Sequence, residues 1–129
     1  MNRASSVLVT DFDGTVTEFD FYRQASPLLP HDLPDYWEEY RGGRMTHFEA
    51  LAAIFKHLKV SEAELMAVAR STRPDPKFAE SVGRLQEVGW DVVVCSAGCQ
   101  WYIERLLAEQ GLNLAVHGNP GIRDPARGL

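Results

Sequence analysis

Val7-Leu8-Val9-Thr10-Asp11-Phe12-Asp13-Gly14-Thr15 decides how this chain folds: an apolar run ends on two aspartates one residue apart, and a glycine follows. A short apolar run without alternation, here Val7 to Thr10, is the pattern of a strand buried in a parallel sheet. Side chains two apart on a strand share a face, so Asp11 and Asp13 can converge on one spot beyond the strand's carboxyl end. A carboxylate nucleophile beside a second carboxyl that passes protons is what hydrolysis through an acyl-phosphate needs. Asp11 to Gly14 would equally suit a plain polar turn. Their company favours the chemical interpretation: Thr15 and Thr17 follow, and a second apolar run, Val92-Val93-Val94-Cys95, ends on Ser96-Ala97-Gly98.

Working outward, Asp75-Pro76 reads as a helix start with Asp as cap and Pro in the first turn. Phe78, Val82, Leu85 and Val88 form its apolar stripe until Gly89. Val92 to Cys95 is the second strand. A helix from Gln100 to Gln110 follows, with Ile103, Leu106 and Leu107 inward and Gly111 as its stop. Leu114 to His117 is a weaker third strand. This β/α alternation calls for parallel strands joined by right-handed crossovers. Ligands in such sheets bind beyond the carboxyl ends of the strands, where Asp11, Asp13 and Ser96 all fall.

Between Phe19 and Arg73 the texture changes. Pro27, Pro30 and Pro34 break the chain into short pieces, and Gly42-Gly43 separates those pieces from a helix beginning near Thr46. Thr46 with Glu49 and Ser61 with Glu64 are capping boxes, so about four short helices are expected here. The aromatics Phe19, Phe21, Tyr22, Tyr36, Trp37, Tyr40, Phe48 and Phe55 could form a small core of their own. The expected organisation is therefore an α/β core from residues 1–18 and 74–118, a helical insert over 19–73 and a loose tail over 119–129.

At 129 residues and 45% hydrophobic content, the chain suits one domain with a modest insert. A net charge of -5 leaves no basic field for nucleic acid. The N-terminal apolar run is broken by Asp11, which argues against a signal or membrane span and for a cytoplasmic protein. Cys95 and Cys99 are the only cysteines and lack the partners of a structural zinc site, so reduced thiols are expected.

The two motifs, Asp11-Phe12-Asp13-Gly14-Thr15 and Val92 to Gly98, resemble those of the haloacid dehalogenase-like (HAD) phosphohydrolase superfamily. The helical insert between them is similar to the cap of its phosphoserine phosphatase-like branch, including the methylthiopentenyl-phosphate phosphatase relatives. The likeness covers about Val7 to Asn119. It implies an incomplete Rossmann-like parallel sheet of about three strands, with the cap inserted after the first. It also implies that Asp11 attacks phosphorus while Asp13 protonates the leaving oxygen and later deprotonates water. Mg²⁺ would be held by the Asp11 carboxylate and the Asp13 carbonyl, and phosphate by Phe12, Gly14, Thr15, Ser96, Ala97 and Gly98. A small phosphorylated metabolite is the implied partner. Dehalogenases of the superfamily lack the second aspartate, so Asp13 favours phosphate esters.

Beyond the second motif the chain departs from the family pattern. The family places a lysine and then an acidic pair there, whereas Lys56, Lys59 and Lys77 all precede Ser96, and Asp124 is the only aspartate beyond Asp91. Arg105 and Arg123 are the candidate substitutes for the lysine. The first strand, central in the family, would have an open edge, to be covered by another copy or by a complementing chain. Two functions stay open: a Mg²⁺-dependent phosphomonoester hydrolase, and a non-catalytic phosphate-binding or interaction module that needs a partner chain. Of the other candidates, Asp20 and Glu18 could line the pocket, Arg44 could meet an anionic group, and Cys99 near a helix start could have a lowered thiol pKa. Trp101 and Tyr102 read as packing residues.

Overall fold

The computed structural model describes residues 6–121 and 128–129. Strand β1 (Ser6–Thr10) leads into the motif loop and then into a helical insert of α1 (Phe21–Ala25), a 3₁₀ turn (Ser26–Leu28), α2 (Tyr36–Arg41), α3 (His47–Phe55) and α4 (Glu62–Ser71). The chain returns through α5 (Phe78–Glu87), β2 (Trp90–Cys99), α6 (Gln100–Glu109) and β3 (Ala115–Asn119). The sheet is parallel, in the order β1-β2-β3. Thr10 lies opposite Val94, so Asp11 and Ser96 come together where the β1–β2 ladder ends; β2 itself does not stop at Cys95 as expected but runs on through Ser96 to Cys99, with a register shift against β3.

Local sequence explains most element boundaries. Ser61 and Glu64 form a complete capping box at α4, whereas Thr46 accepts the Glu49 N–H at α3 without the reciprocal bond. Helix α5 begins at Phe78, later than the Asp-Pro signal suggests. Asp75 instead turns the chain one step earlier, its carboxylate accepting from Lys77 N–H at 2.8 Å and its carbonyl from Phe78 N–H at 3.1 Å. The insert leaves and returns through paired segments: Glu18 N–H donates to Arg73 O, Phe19 N–H to Thr72 O and Asp75 N–H to Val16 O.

Three expectations are corrected. The aromatics of the insert do not build a separate core, because Phe21, Leu51, Phe55, Leu58 and Leu65 join Phe12, Val94, Tyr102 and Ile103 in one cluster. Burying all these rings in one place removes more apolar surface from water than two small cores could. The tail is anchored at both described ends: Asn119 closes β3, and Leu129 packs on the cluster and donates its N–H to Phe55 O at 3.1 Å. Arg123 and Asp124 lie outside the described residues.

The third correction concerns β1, which is parallel but not buried. Val7 is 54% exposed and Val9 60%, because α5 and α6 pack over β2 and β3 while, among the described residues, β1 has one neighbouring strand. Val88 and Trp90 extend this apolar surface, and Val82 is the fully buried residue of the α5 stripe. An open apolar edge pairs with other strands. The isolated chain is therefore expected to elute above its 14.5 kDa monomer mass at high micromolar concentration, and Val9→Lys to shift it toward monomer. Identical elution of the two proteins would contradict this.

Candidate active site

Parallel pairing brings the ends of β1 and β2 together, and the insert roofs the space above them. The result is a cavity of about 280 Å³ with Asp11, Asp13, Ser96, Ala97 and Gly98 on the sheet side. Asp11 is exposed, and its Oδ1 accepts the Phe12 N–H at 2.7 Å, leaving Oδ2 for a ligand. Asp13 sits deeper. Its Oδ1 accepts the Phe21 N–H at 3.0 Å, and its Oδ2 accepts the Tyr102 hydroxyl at 2.6 Å and, more loosely, the Ser96 hydroxyl at 3.5 Å. Ser96 Oγ in turn accepts the Gly98 N–H at 3.0 Å, and Asn119 holds the Ala97 carbonyl at 2.6 Å. Glycine at position 98 is dictated by this crowding, since a Cβ there would collide with the Tyr102 hydroxyl and lie 2.6 Å from Asp13 Oδ2.

The other motif residues point elsewhere. The Phe12 ring is wholly buried in the core. The Gly14 N–H donates to Thr17 Oγ1 at 3.0 Å and the Thr15 N–H to Phe12 O at 3.1 Å. With the Phe12 N–H taken by Asp11, the N–H groups of Phe12, Gly14 and Thr15 are all committed inside the loop. They stabilise the turn, with Gly14 in the left-handed region at φ 74°, and are not aimed at an anion in the cavity.

Burial shapes the chemistry of Asp13. Burial, the largest effect, raises the Asp13 pKa; the bonds from Tyr102 and Phe21 oppose it, and the charges of Asp20 and Asp11 add to it. A carboxyl held this way is suited to carry a proton. Burial and the Asp13 charge push the Tyr102 phenol far above its usual range, so it stays protonated as a donor. Cys99 is likewise raised by burial, contrary to the lowering expected near a helix start.

Raised in the fold, Asp13 contributes most to stability below its ordinary value of 3.8, and that contribution is lost as pH climbs through the folded value. Asp13→Asn is therefore expected to raise the thermal midpoint at neutral pH, and the difference should vanish in acid, where both side chains are neutral. Melting curves across pH check this; a variant less stable at neutral pH would contradict it.

Tyr102 is the main residue that sequence reasoning missed, since it both packs and donates to Asp13. Its ring stacks on Phe21 at 4.0 Å between centroids, with 6° between the planes. The remaining cavity wall comes from the insert: Asp20, Tyr22, Trp37, His47, Leu51 and Phe55. Glu18 pairs with Arg73 at 3.2 Å instead, and Arg44 with Glu39 at 2.6 Å. Arg105 stacks on Trp101 at 4.1 Å and donates to its carbonyl, so it does not replace the absent lysine. Among the described residues no lysine or arginine lines the cavity.

The sequence pattern of the haloacid dehalogenase-like hydrolases matches residues 8–124, and the chain belongs to that family. No curated protein sequence matches it. A HAD family hydrolase from Salmonella enterica serovar Typhi has a similar structure, with a TM-score of 0.74, 20% identity, and coverage of 95% of this chain and 43% of that one. A probable phosphoserine phosphatase from Vibrio cholerae gives 0.73 at 20% identity, covering 95% and 39%. A phosphoserine phosphatase solved as a phospho-aspartyl intermediate analogue gives 0.70 at 16% identity, covering 98% and 61%. The chain thus spans roughly two fifths to three fifths of the length of these proteins. Among the described residues no helix is long and apolar enough to cross a membrane.

Proposed function

We propose that this chain carries the nucleophile and proton-transfer groups of a phosphomonoester hydrolase. The observation that carries this is the pairing of an exposed Asp11 with a half-buried Asp13, the latter bonded to Ser96 and Tyr102 where two parallel strands end. Family membership and the phosphoserine phosphatases among the structural neighbours support it. In the forward step an Asp11 oxygen forms a bond to phosphorus as the ester P–O bond breaks, and the leaving oxygen takes the Asp13 proton. Asp13, now a carboxylate, takes a proton from water as that water's oxygen bonds phosphorus. The Asp11–phosphorus bond breaks and inorganic phosphate leaves. Ser96 would hold a phosphoryl oxygen through the sequence.

Mg²⁺ fits the donor set in kind, because the free Asp11 oxygen and the Asp13 carbonyl are hard ligands, and such ions rely heavily on water and substrate phosphate. The set is sparse: among the described residues no group of three or more His, Cys, Asp or Glu is arranged to hold a metal. When bound, the ion would neutralise phosphoryl charge. The missing cation and acids would come from a protein segment lying against the open edge of β1, next to Asp11.

The absence of lysine and arginine from the described cavity lining weighs against turnover by this chain alone and leaves a second function, Mg²⁺-assisted phosphate binding without turnover. Mass spectrometry after acid quench, following incubation with acetyl phosphate and Mg²⁺, separates the two. One phosphoryl group on the peptide containing Asp11 supports the hydrolase; an unmodified chain that still binds inorganic phosphate supports the binding module.

A further inference from the structure

The cavity has two chemically different walls. One holds Asp11, Asp13 and Ser96, and the other presents the rings of Tyr22, Trp37 and His47. Those rings are fixed against each other before any ligand arrives. Tyr22 meets Trp37 edge-on at 5.3 Å and 89°, and Trp37 meets His47 at 5.5 Å and 42°. A preorganised aromatic wall loses little entropy on binding and favours flat partners.

Charge narrows the choice further. Asp20 joins Asp11 and Asp13 in the lining, and it makes no capping bond at the start of α1. The basic residues of α2 and the turn after it face outward in ion pairs, Arg41 with Asp35 at 3.7 Å and Arg44 with Glu39 at 2.6 Å. With Mg²⁺ offsetting the phosphoryl charge, a further carboxylate on the ligand would still lose water to enter a cavity that has, among the described residues, three aspartates and no lysine or arginine. At about 280 Å³ the space is near the lower end for small-molecule sites, enough for a phosphoryl group and one ring.

Resting on the phosphate-ester interpretation of this site, we propose that its ligand is the phosphomonoester of an aromatic or heteroaromatic alcohol with no negative charge beyond the phosphoryl group, its ring seated against Trp37. The geometry disfavours phosphorylated amino acids, whose carboxylate finds no cationic partner among the described lining residues.

Calorimetric titration of the intact chain with Mg²⁺ present, using phenyl phosphate, O-phosphoserine and inorganic phosphate in turn, tests this. Phenyl phosphate is expected to bind about tenfold or more tightly than phosphoserine. Saturation-transfer NMR on the unmodified chain should show its ring protons in contact with protein. Trp37→Leu should bring the two esters to within about threefold of each other. Phosphoserine binding as tightly as phenyl phosphate, or a preference untouched by a folded Trp37→Leu, overturns the ligand class while leaving a phosphate site in place. If none of the three ligands binds, the phosphate-site interpretation fails and this inference falls with it.

Discussion

Asp11→Asn is expected, on the proposed mechanism, to remove phosphoryl capture altogether, lowering any phosphate-ester hydrolysis the chain supports to the uncatalysed rate. An amide oxygen is a poor nucleophile, and no neighbour can stand in: Asp13 is fixed by Phe21, Tyr102 and Ser96, and Ser96 is tied to Asp13 and Gly98. Asp13→Asn should behave differently. Loss of a general acid costs about 10²–10⁴ for an alkyl leaving group and much less for a phenolate, which departs without protonation. The phosphorylated Asp11 species should therefore still form from an aryl phosphate in Asp13→Asn and then persist. Quench-flow with a labelled aryl ester checks both variants; residual turnover in Asp11→Asn would remove the covalent step from the scheme.

Phe21→Ala is expected to cost about 3–5 kcal/mol of stability. Phe21 is wholly buried, stacks on Tyr102 and meets Phe55 edge-on at 5.7 Å, so its loss leaves a void among side chains that cannot all move inward. Domains of this size are stable by about 5–15 kcal/mol, so about a fifth or more of the total is at stake. The exposed ion pairs, such as Arg84 with Glu80 at 2.7 Å, offer little to offset it. Urea denaturation measures the change; a loss under about 1 kcal/mol would show that the ring is not the keystone its packing implies.

Much of this architecture was legible in local sequence. The apolar runs before Asp11 and Ser96, the boxes at Ser61 and Thr46, and the glycine stops each express short-range physics, and the structure follows them within a few residues. Asp11, Asp13 and Ser96 could be placed at one end of the sheet because strand direction and periodicity suffice for that. The Tyr102 bond to Asp13 was not legible, since it joins residues 89 apart in the chain through side-chain packing. Its one local signal is position: Tyr102 lies in the first turn of the helix that opens just beyond Ser96. The inward use of the Gly14 N–H was equally hidden, depending on Thr17 being buried beneath the loop. Exposure of β1 could not be read from composition, because Val7 to Val9 look the same whether or not another strand covers them.

The shared cluster that joins Phe12 and Tyr102 to Phe21, Leu51 and Phe55 has a consequence for how the protein comes apart. A roof with its own interior could open or melt while the sheet stayed intact, giving staggered transitions. Here the same rings serve both parts, so the helices cannot lose order without uncovering the strand ends. Slow amides in α3 and in β2 should therefore exchange with solvent through one common, cooperative opening event.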